Sequence, residues 1–321
     1  MNPNEDVLGA YRDITGRLKK RLFSKKISAS QASEELSALG RRLNNQTAYP
    51  YAAFCSQAVA RCEREAGNEQ REVEAMTDAA RRYMKSVKEN RRLGMLSLQE
   101  DCVSSIQCYR SAISLYIAQG QQILAGSLAV EVADVVCCDL ENFQQAVPFY
   151  RQAVELLGQN SSQLLCAMRK LASCYIKSND LESALNCFTD IMDVVVKRNK
   201  LSGGSSDEAK VVELCSSFVD TMRWSEVSVI FLVLTLRPLG YSESKSKYAQ
   251  VFDKYRNWDP LNPVLPVNYI TDDLFMYLNA VILTAEAKDV LALRELQKEL
   301  VPQLPVEQNH LLLVLLKSIS Q

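Results

Sequence analysis

Proline is almost absent from the middle of this chain. Between Pro50 and Pro238 the only proline is Pro148, and the whole sequence of 321 residues holds 9 Pro and 11 Gly. These residue types break helices and form turns, and together they make up about 6% of this chain against about 12% of an average protein. A long span that avoids them is expected to be mostly helical. This composition argues against Gly-rich β-barrels and Rossmann folds.

Small and aromatic residues recur together at helical spacing. Ala172 precedes Tyr175 by three residues and Ala184 precedes Phe188 by four, with a turn expected at Asn179-Asp180. In tetratricopeptide helix pairs, such a small residue forms the hole that receives a neighbour's aromatic side chain. The pattern also occurs in two earlier units, at Ala146, Tyr150 and Ala153 and at Ser105, Tyr109 and Ala112.

Corresponding small residues in these units lie 38 and 41 residues apart, which is longer than the usual repeat of about 34. The repeats are therefore degenerate. The sequence predicts an all-α fold, a degenerate tetratricopeptide-like helical-hairpin solenoid of about 14–15 helices.

The predicted helices fall into two regions around a short linker. Residues 1–200 hold a basic first helix, from about Glu5 to Ser24, and then the tetratricopeptide-like repeats. Residues 201–206, "LSGGSS", have the composition of a linker, and residues 207–321 continue the helical array. The further helices are expected to begin at Ser28 or Ser30 and then to cover Tyr49–Ala66, Asn68–Asn90, Asp207–Met222, Ser225–Leu236, Ser242–Trp258, Thr271–Ala287, Lys288–Val301 and Val306–Ser320.

Three of these helices carry local expectations. Pro148 lies well inside a predicted helix and should kink it, since proline lacks the amide proton that the helix needs. Thr271 should cap the helix that follows it. The last helix, Val306–Ser320, is apolar nearly all round and should be buried on several sides, with His310 packed or capping.

The sequence lacks the motifs that carry common enzymatic chemistry. It has no phosphate-binding P-loop, no dinucleotide-binding glycine motif, no zinc-protease motif and no nucleophile elbow. Its one histidine and its ten cysteines, none of which forms a C-x-x-C pair, give no metal or catalytic pattern. The longest apolar run, Val227–Leu236, is half of what a bilayer span requires. We expect a non-enzymatic protein without cofactor, resident in a reducing compartment, the cytoplasm or the nucleus.

The charge is unevenly placed along the chain. Residues 1–100 hold 18 Lys and Arg against 13 Asp and Glu, while the whole chain has a net charge of −1. Such a dipole can orient a protein against a partner, although a solvated helix end would look the same. The basic residues proposed for partner binding are Arg17, Lys19, Lys20, Arg21, Lys25 and Lys26. A pI near 6.1 and aromatic residues spaced for helix packing argue against nucleic acid as the partner.

The segment Lys88–Leu98 combines basic and apolar residues around Gly94, where a helix should stop. An apolar loop beside positive charge is costly to leave in water, so it should dock either on its own core or on another protein. The residues proposed for partner binding in this segment are Lys88, Arg91, Arg92, Leu93, Met95, Leu96 and Leu98.

Four segments in order resemble the family of forty-kilodalton huntingtin-associated proteins. These are "YRDITGRLKKRLF" (Tyr11–Phe23), "YPYAAFCSQAVARCERE" (Tyr49–Glu65), "WSEVSVIFLVLTLRP" (Trp224–Pro238) and "VEQNHLLLVLL" (Val306–Leu316). Vertebrate members carry a long proline-rich insert where this chain has only "LSGGSS", so the chain resembles a compact, invertebrate-type member.

The resemblance implies a tetratricopeptide-like subunit held between the HEAT-repeat domains of huntingtin, in which each protein stabilises the other. It also implies a link to early endosomes through a Rab-type GTPase. A second similarity, to the soluble attachment proteins of the membrane-fusion machinery, lies in Cys108–Gln121 and Phe143–Leu157 and favours a vesicle-trafficking adaptor. A chaperone-recruiting tetratricopeptide module is a third alternative, but its regular clamp of Lys, Asn and Arg cannot be placed in these repeats.

Overall fold

The computed structural model describes residues 7–19, 28–95, 99–158, 163–201, 216–237, 248–258 and 265–320. Within these ranges it holds fourteen α-helices and a single π-helical turn, Val135–Asp139, and no β-strand. The helices are α1 Val7–Lys19, α2 Ala29–Asn45, α3 Tyr49–Ala66, α4 Glu69–Arg92, α5 Glu100–Ala118, α6 Gln122–Asp134, α7 Phe143–Leu157, α8 Leu164–Lys177, α9 Leu181–Leu201, α10 Ser216–Leu236, α11 Ala249–Arg256, α12 Asp272–Glu286, α13 Val290–Leu300 and α14 Val306–Ser320.

The predicted all-α, tetratricopeptide-like helical-hairpin fold is confirmed. The small and aromatic residues of the repeat pattern are all buried, among them Ala172, Tyr175, Ala184 and Phe188. The predicted turn at Asn179-Asp180 is present. Asn179 has a positive φ of 59°, a left-handed conformation that asparagine tolerates better than most residues and that often ends a helix.

The chain divides into two compact units, residues 1–141 with 155–157 and residues 142–154 with 158–321. The linker predicted at 201–206 lies outside the described residues apart from Leu201, which ends α9. The proposed domain boundaries therefore stay a prediction.

In the first unit, helices α2, α3, α4 and α5 each pack against the next helix in sequence. Alanines without exposed surface, such as Ala52, Ala60 and Ala80, allow the helix backbones to approach closely. Ser28 begins α2 with a capping box, since its Oγ accepts from the amide of Gln31 and the Gln31 side chain accepts from the amide of Ser28. A short α2–α3 connection then follows from Gln46 to Ala48.

In the second unit, α10 packs against α9, α12 and α14. Its side chains from Ser225 to Leu234 are all buried, which agrees with its apolar sequence. Trp224 meets Phe188 of α9 edge to face, with ring centroids 4.6 Å apart. Gln308 of α14 donates from its amide nitrogen to the carbonyl oxygen of Trp224 at 2.9 Å, which fixes α14 on α10.

The sequence predicted two helices where the structure has one continuous helix, α10, so the break expected between Met222 and Ser225 is wrong. Nothing there breaks a helix. The Ser225 and Ser228 hydroxyls donate back to carbonyl oxygens four residues earlier, each at 2.8 Å. The remaining residues of the predicted first helix, 207–215, lie outside the described part of the chain.

Three local expectations also need correction or refinement. Thr271 occupies the N-cap position of α12, but its hydroxyl makes no capping hydrogen bond. His310 is exposed, not packed. The last helix buries Leu311, Leu312, Leu315 and Leu316, whereas its neighbouring Leu313 is exposed.

Pro148 does lie inside α7, on an exposed face of the helix. The carbonyl of Gln144, four residues earlier, thus loses its amide partner at the solvent side. The kink expected there stays a prediction.

Candidate functional site

Helix α4 ends in a defined turn that we call the α4 corner, residues 88–95. The amide of Met95 donates to the carbonyl of Asn90 at 2.9 Å, and the amide of Gly94 donates to the carbonyl of Arg91 at 3.0 Å. This pair of bonds is the Schellman motif, and it requires a left-handed residue, which Gly94 supplies with a φ of +64°. The helix stop that the sequence predicted at Gly94 is therefore present.

Two of the basic residues in the α4 corner are used within the chain. Lys88 Nζ lies 2.7 Å from a carboxylate oxygen of Asp139, and the Arg91 guanidinium donates to the main-chain carbonyl of the same residue. Asp139 ends the π-helical turn, and the amide of Leu140 donates to the carbonyl of Val135 at 3.2 Å. Cations at the C-terminal end of a helical segment compensate its unpaired carbonyl groups. Lys88 and Arg91 thus fix the corner to the chain's own fold.

The apolar residues of the α4 corner point away from that anchor. Leu93 is 56% exposed and Met95 is 60% exposed. Arg92 is exposed as well and pairs with Glu89 at 2.6 Å, and this pair lowers the pKa of Glu89. The corner therefore presents two large apolar side chains on a fixed turn. Leu96 and Leu98, the other apolar residues proposed for this segment, lie outside the described residues.

The structure places only part of the basic N-terminal cluster. Arg17 on α1 is half-buried and pairs with Asp13 at 3.1 Å and with Glu35 of α2. The hydrogen bond that Arg17 donates to the Glu35 carboxylate, opposed by partial desolvation, raises the pKa of Arg17. Lys19 is the last residue of α1, and only its backbone is described. The other four residues proposed in this cluster, Lys20, Arg21, Lys25 and Lys26, lie outside the described residues.

An exposed aromatic surface on α1 and α3 was missed by the sequence analysis. Tyr11 and Phe54 are in contact, with ring centroids 5.0 Å apart. Leu8 lies three residues before Tyr11, and Tyr51 lies three residues before Phe54, so each shares a helix face with its partner. We call these four residues the α1–α3 patch, of which Leu8, Tyr51 and Phe54 are exposed. The i, i+3 spacing of Tyr51 and Phe54 was the sequence pattern that could have revealed it.

A cavity of about 250 Å³ lies among α4, α5 and α6. Two of its lining residues form a bidentate ion pair, in which Arg81 donates to both carboxylate oxygens of Glu131 at 2.7 Å. Tyr109 donates to the same carboxylate at 3.0 Å. Burial alone would raise the pKa of Glu131, but the hydrogen bonds and charge of Arg81, with the Tyr109 bond, lower it. Glu74 and Asp78 also line this cavity, so it is acidic on balance.

Six of the cysteines are buried as small apolar side chains. Cys55, Cys62, Cys108, Cys137, Cys174 and Cys187 are buried, and no cysteine in the described part of the chain is in a disulfide. Burial raises the pKa of Cys55 to about 11 and that of Cys187 to about 12. Protonated thiols of this kind are poor nucleophiles. Among the described residues, no three His, Cys, Asp or Glu side chains group as metal ligands.

Every described helix is too short or too polar to cross a bilayer.

The chain is similar to two groups of known proteins. The sequence model described as "Soluble NSF attachment protein, SNAP" matches residues 15–216. The 40-kDa huntingtin-associated proteins of Rattus norvegicus and Mus musculus are each 28% identical to this chain over 358 residues, covering 98% of this chain and 93% of each relative. The alignment is longer than this chain, so it contains gaps on this chain's side. These relationships support a binding or adaptor role.

Proposed function

The chain belongs to the soluble NSF attachment protein family, and we propose that it is a non-enzymatic scaffold subunit that forms a stable complex with huntingtin. In this complex each protein stabilises the other, and the assembly acts in the cytoplasm, with links to the early endosome and the nucleus. The observation that carries the proposal is the similarity to the 40-kDa huntingtin-associated proteins, which extends over 98% of the chain.

The surface of the first unit supports a protein partner. The α4 corner holds Leu93 and Met95 exposed on a turn that is fixed by the Schellman motif and by the Asp139 anchor. Apolar side chains on a rigid turn lose little conformational entropy when a partner covers them, so they favour tight binding. The α1–α3 patch adds exposed aromatic residues, which are enriched at the cores of protein interfaces.

This arrangement assigns different roles to residues that the sequence grouped together. Leu93 and Met95, with Leu96 and Leu98, are proposed to contact the partner directly. Lys88 and Arg91 are proposed to act by positioning the corner, and Arg92 lies at its rim, paired with Glu89. Of the N-terminal cluster, Arg17 is proposed to hold α1 on α2, and the basic residues Lys19, Lys20, Arg21, Lys25 and Lys26 are proposed to contact an acidic surface of the partner.

Co-expression with huntingtin tests this proposal. The double variant Leu93→Asp with Met95→Asp should leave the thermal unfolding of the free chain unchanged, because both side chains are already in water, and should sharply reduce the huntingtin that co-purifies. Leu283→Asp, at an equally exposed leucine of α12, is the matched control and should co-purify normally. Full recovery of huntingtin with the corner variant would remove the corner from the interface.

Mutual stabilisation needs its own measurement. The chain alone and the chain bound to huntingtin should differ in the rate at which a protease degrades them, since binding stabilises the folded state by mass action. Equal protease resistance of the free and bound chains would contradict the proposal.

A Rab-type GTPase is proposed as a further partner, to be tested by its capture on the purified complex in the GTP-bound and GDP-bound forms.

The family match favours a second candidate function, a vesicle-trafficking adaptor that acts on membrane-fusion complexes. Under this alternative the α1–α3 patch would meet a membrane or a coiled-coil bundle. Purified protein should then bind fusion complexes or anionic liposomes, and Tyr51→Asp with Phe54→Asp should abolish that binding. Binding to huntingtin alone, unaffected by this variant, would favour the scaffold proposal.

A further inference from the structure

The two helices α13 and α14 enclose a groove of about 500 Å³. Its lining includes the apolar residues Leu313 and Leu316 and the cations Arg294, Lys298 and Lys317. This groove lies outside the residues that the family comparison matches, and the inference that follows does not depend on a complex with huntingtin.

Exposed apolar residues of this helix pair share helix faces with residues that line the groove. Leu291 is 76% exposed, one turn before Arg294 on the same face of α13. Val306 is 84% exposed at the start of α14, and Leu313 follows two turns later on the same face. A surface of exposed aliphatic side chains that runs along two helices is typical of a binding groove. Helix α14 alone is about 22 Å long, the length of a four-turn helix.

The charged residues of the groove all have the same sign. No Asp or Glu lines it. Lys298 is paired on its outer side with Glu295, at 2.8 Å. Arg294 and Lys317 make no hydrogen bond or ion pair within the part of the chain that the structure describes. Two cations beside the apolar residues Leu313 and Leu316 are therefore left without an internal counter-charge.

We propose that the α13–α14 groove binds an amphipathic α-helix of a partner protein whose apolar face is bordered by Asp and Glu. The apolar face would cover Leu313 and its neighbours, and the carboxylates would reach Arg294 and Lys317. Binding of this kind, in which a helix lies in a hydrophobic groove, is read through apolar anchors spaced at i, i+3, i+4 and i+7. Because the cations of the groove are positive, charge complementarity requires negative residues along the partner helix.

The burial of Leu316 favours a helix over a lipid surface. A membrane would meet the exposed side chains first, whereas Leu316 lines the groove and is only 7% exposed, so a protruding side chain of a helix reaches it better than a flat bilayer surface does. A second copy of this chain is a poorer occupant, because its equivalent surface carries the same positive charge, and like charges repel.

Fluorescence anisotropy with designed peptides tests the proposal on the full chain. The probe is a labelled helical peptide of about 15 residues, four turns long, with leucines on one face and glutamates on both sides. A second peptide has lysine in place of every glutamate. The wild-type chain should bind the acidic peptide more tightly than the basic one. Arg294→Glu with Lys317→Glu should weaken acidic-peptide binding by about tenfold, since two exposed attractive pairs become repulsive, and should improve binding of the basic peptide.

Two variants and two further measurements keep the result interpretable. Lys197→Glu, at an exposed cation of α9, is the matched control and should not change peptide binding. Leu313→Asp should remove binding without changing thermal unfolding, since this side chain is already exposed. Equal affinity for both peptides would overturn the proposal. So would charge-dependent binding to phosphatidylserine vesicles without peptide binding, or a dimer in sedimentation that the charge variant dissociates.

Discussion

Replacement of Glu226 by glutamine is expected to destabilise the second unit by about 3 kcal/mol. Glu226 has no exposed surface, yet it carries a carboxylate in the middle of the apolar helix α10. Lys254 Nζ lies 2.6 Å from one carboxylate oxygen. The Tyr269 hydroxyl donates to the same oxygen at 2.6 Å, and the Tyr255 hydroxyl donates to the other at 2.8 Å. Burial, and after it the charge of Glu226, raises the pKa of both tyrosines well above the usual range.

The size of the destabilisation depends on which charge stays buried without a partner after each substitution. Removal of one partner of a buried ion pair costs about 3–5 kcal/mol, because the other charge stays buried without compensation. With Glu226→Gln the remaining charge is Lys254, whose side chain is 21% exposed and keeps a bond of 2.8 Å to the Tyr269 oxygen, so the cost should lie at the low end. With Lys254→Met the remaining charge is the fully buried carboxylate, so that variant should be the less stable one.

Urea unfolding followed by tryptophan fluorescence measures the loss of stability of the second unit. Both tryptophans, Trp224 and Trp258, lie in the second unit. Circular dichroism on the same samples reports the helices of both units. Tyr255→Phe is the matched control, since it removes one hydrogen bond to the carboxylate and keeps the ion pair, and it should cost about 1.5–3 kcal/mol.

The three variants should therefore rank in stability, with Tyr255→Phe the most stable, Glu226→Gln next and Lys254→Met the least stable. A cost below about 1 kcal/mol for Glu226→Gln, the range of an exposed pair, would mean that the pair contributes no more than a surface salt bridge. A Lys254→Met variant that is more stable than Glu226→Gln would mean that burial of the carboxylate does not control the penalty. The double variant should cost less than the sum of the two single variants, because neither charge is then left alone.

Three further predictions concern the first unit. Gly126→Ala should destabilise the chain by about 1–3 kcal/mol in thermal unfolding, since an added Cβ would lie 2.8 Å from the Leu157 side chain. Gly94→Ala should cost about 1 kcal/mol and weaken partner binding in a pull-down, because Gly94 is left-handed. Glu131→Gln should be less stable than wild type at pH 7. The lowered pKa of Glu131 means that its stabilisation by Arg81 is lost as the pH falls through that pKa, so the two acid-unfolding curves should converge at low pH.

Two of these predictions have a control variant in the same unit. Gly16→Ala lies in open space on α1 and should be neutral or slightly stabilising, as expected when alanine replaces glycine in a helix. Gly94→Asn should recover part of the loss of Gly94→Ala, since asparagine accepts the left-handed conformation. Equal losses for Gly126→Ala and Gly16→Ala would contradict the steric argument. Glu131→Gln curves that stay parallel to wild type down to low pH would contradict the ion-pair argument.

The sequence predicted those parts of the fold that depend on neighbouring residues. The small and aromatic pattern around Ala172 and Tyr175 requires only that a helix face be buried, and the stop at Gly94 requires only one left-handed residue. The bounds of α3 and α14 agree with the sequence prediction for the same reason. The erroneous break in α10 shows the limit of local prediction, because a serine such as Ser225 can begin a helix or bond to a carbonyl within one.

Contacts between distant residues could not be predicted in this way. The Glu226 network joins α10, α11 and a residue before α12, and nothing at Glu226 itself distinguishes it from a solvated carboxylate. Likewise, Lys88 and Arg91 reach Asp139, which lies about fifty residues away in the chain. The sequence therefore located the α4 corner but not the division of work within it, in which the cations hold the turn and Leu93 and Met95 remain exposed.

Internal ion pairs also reduce the positive charge that the first hundred residues can offer to a partner. About half of the described cations there are paired with carboxylates of the same unit, namely Arg17, Arg64, Arg71, Arg81, Arg82, Lys88 and Arg92. Charge that is satisfied internally contributes little to long-range attraction. Partner binding through the α4 corner should therefore depend on apolar contact and change little with salt. The α13–α14 groove, whose Arg294 and Lys317 have no internal counter-charge, should in contrast lose affinity as the salt concentration rises.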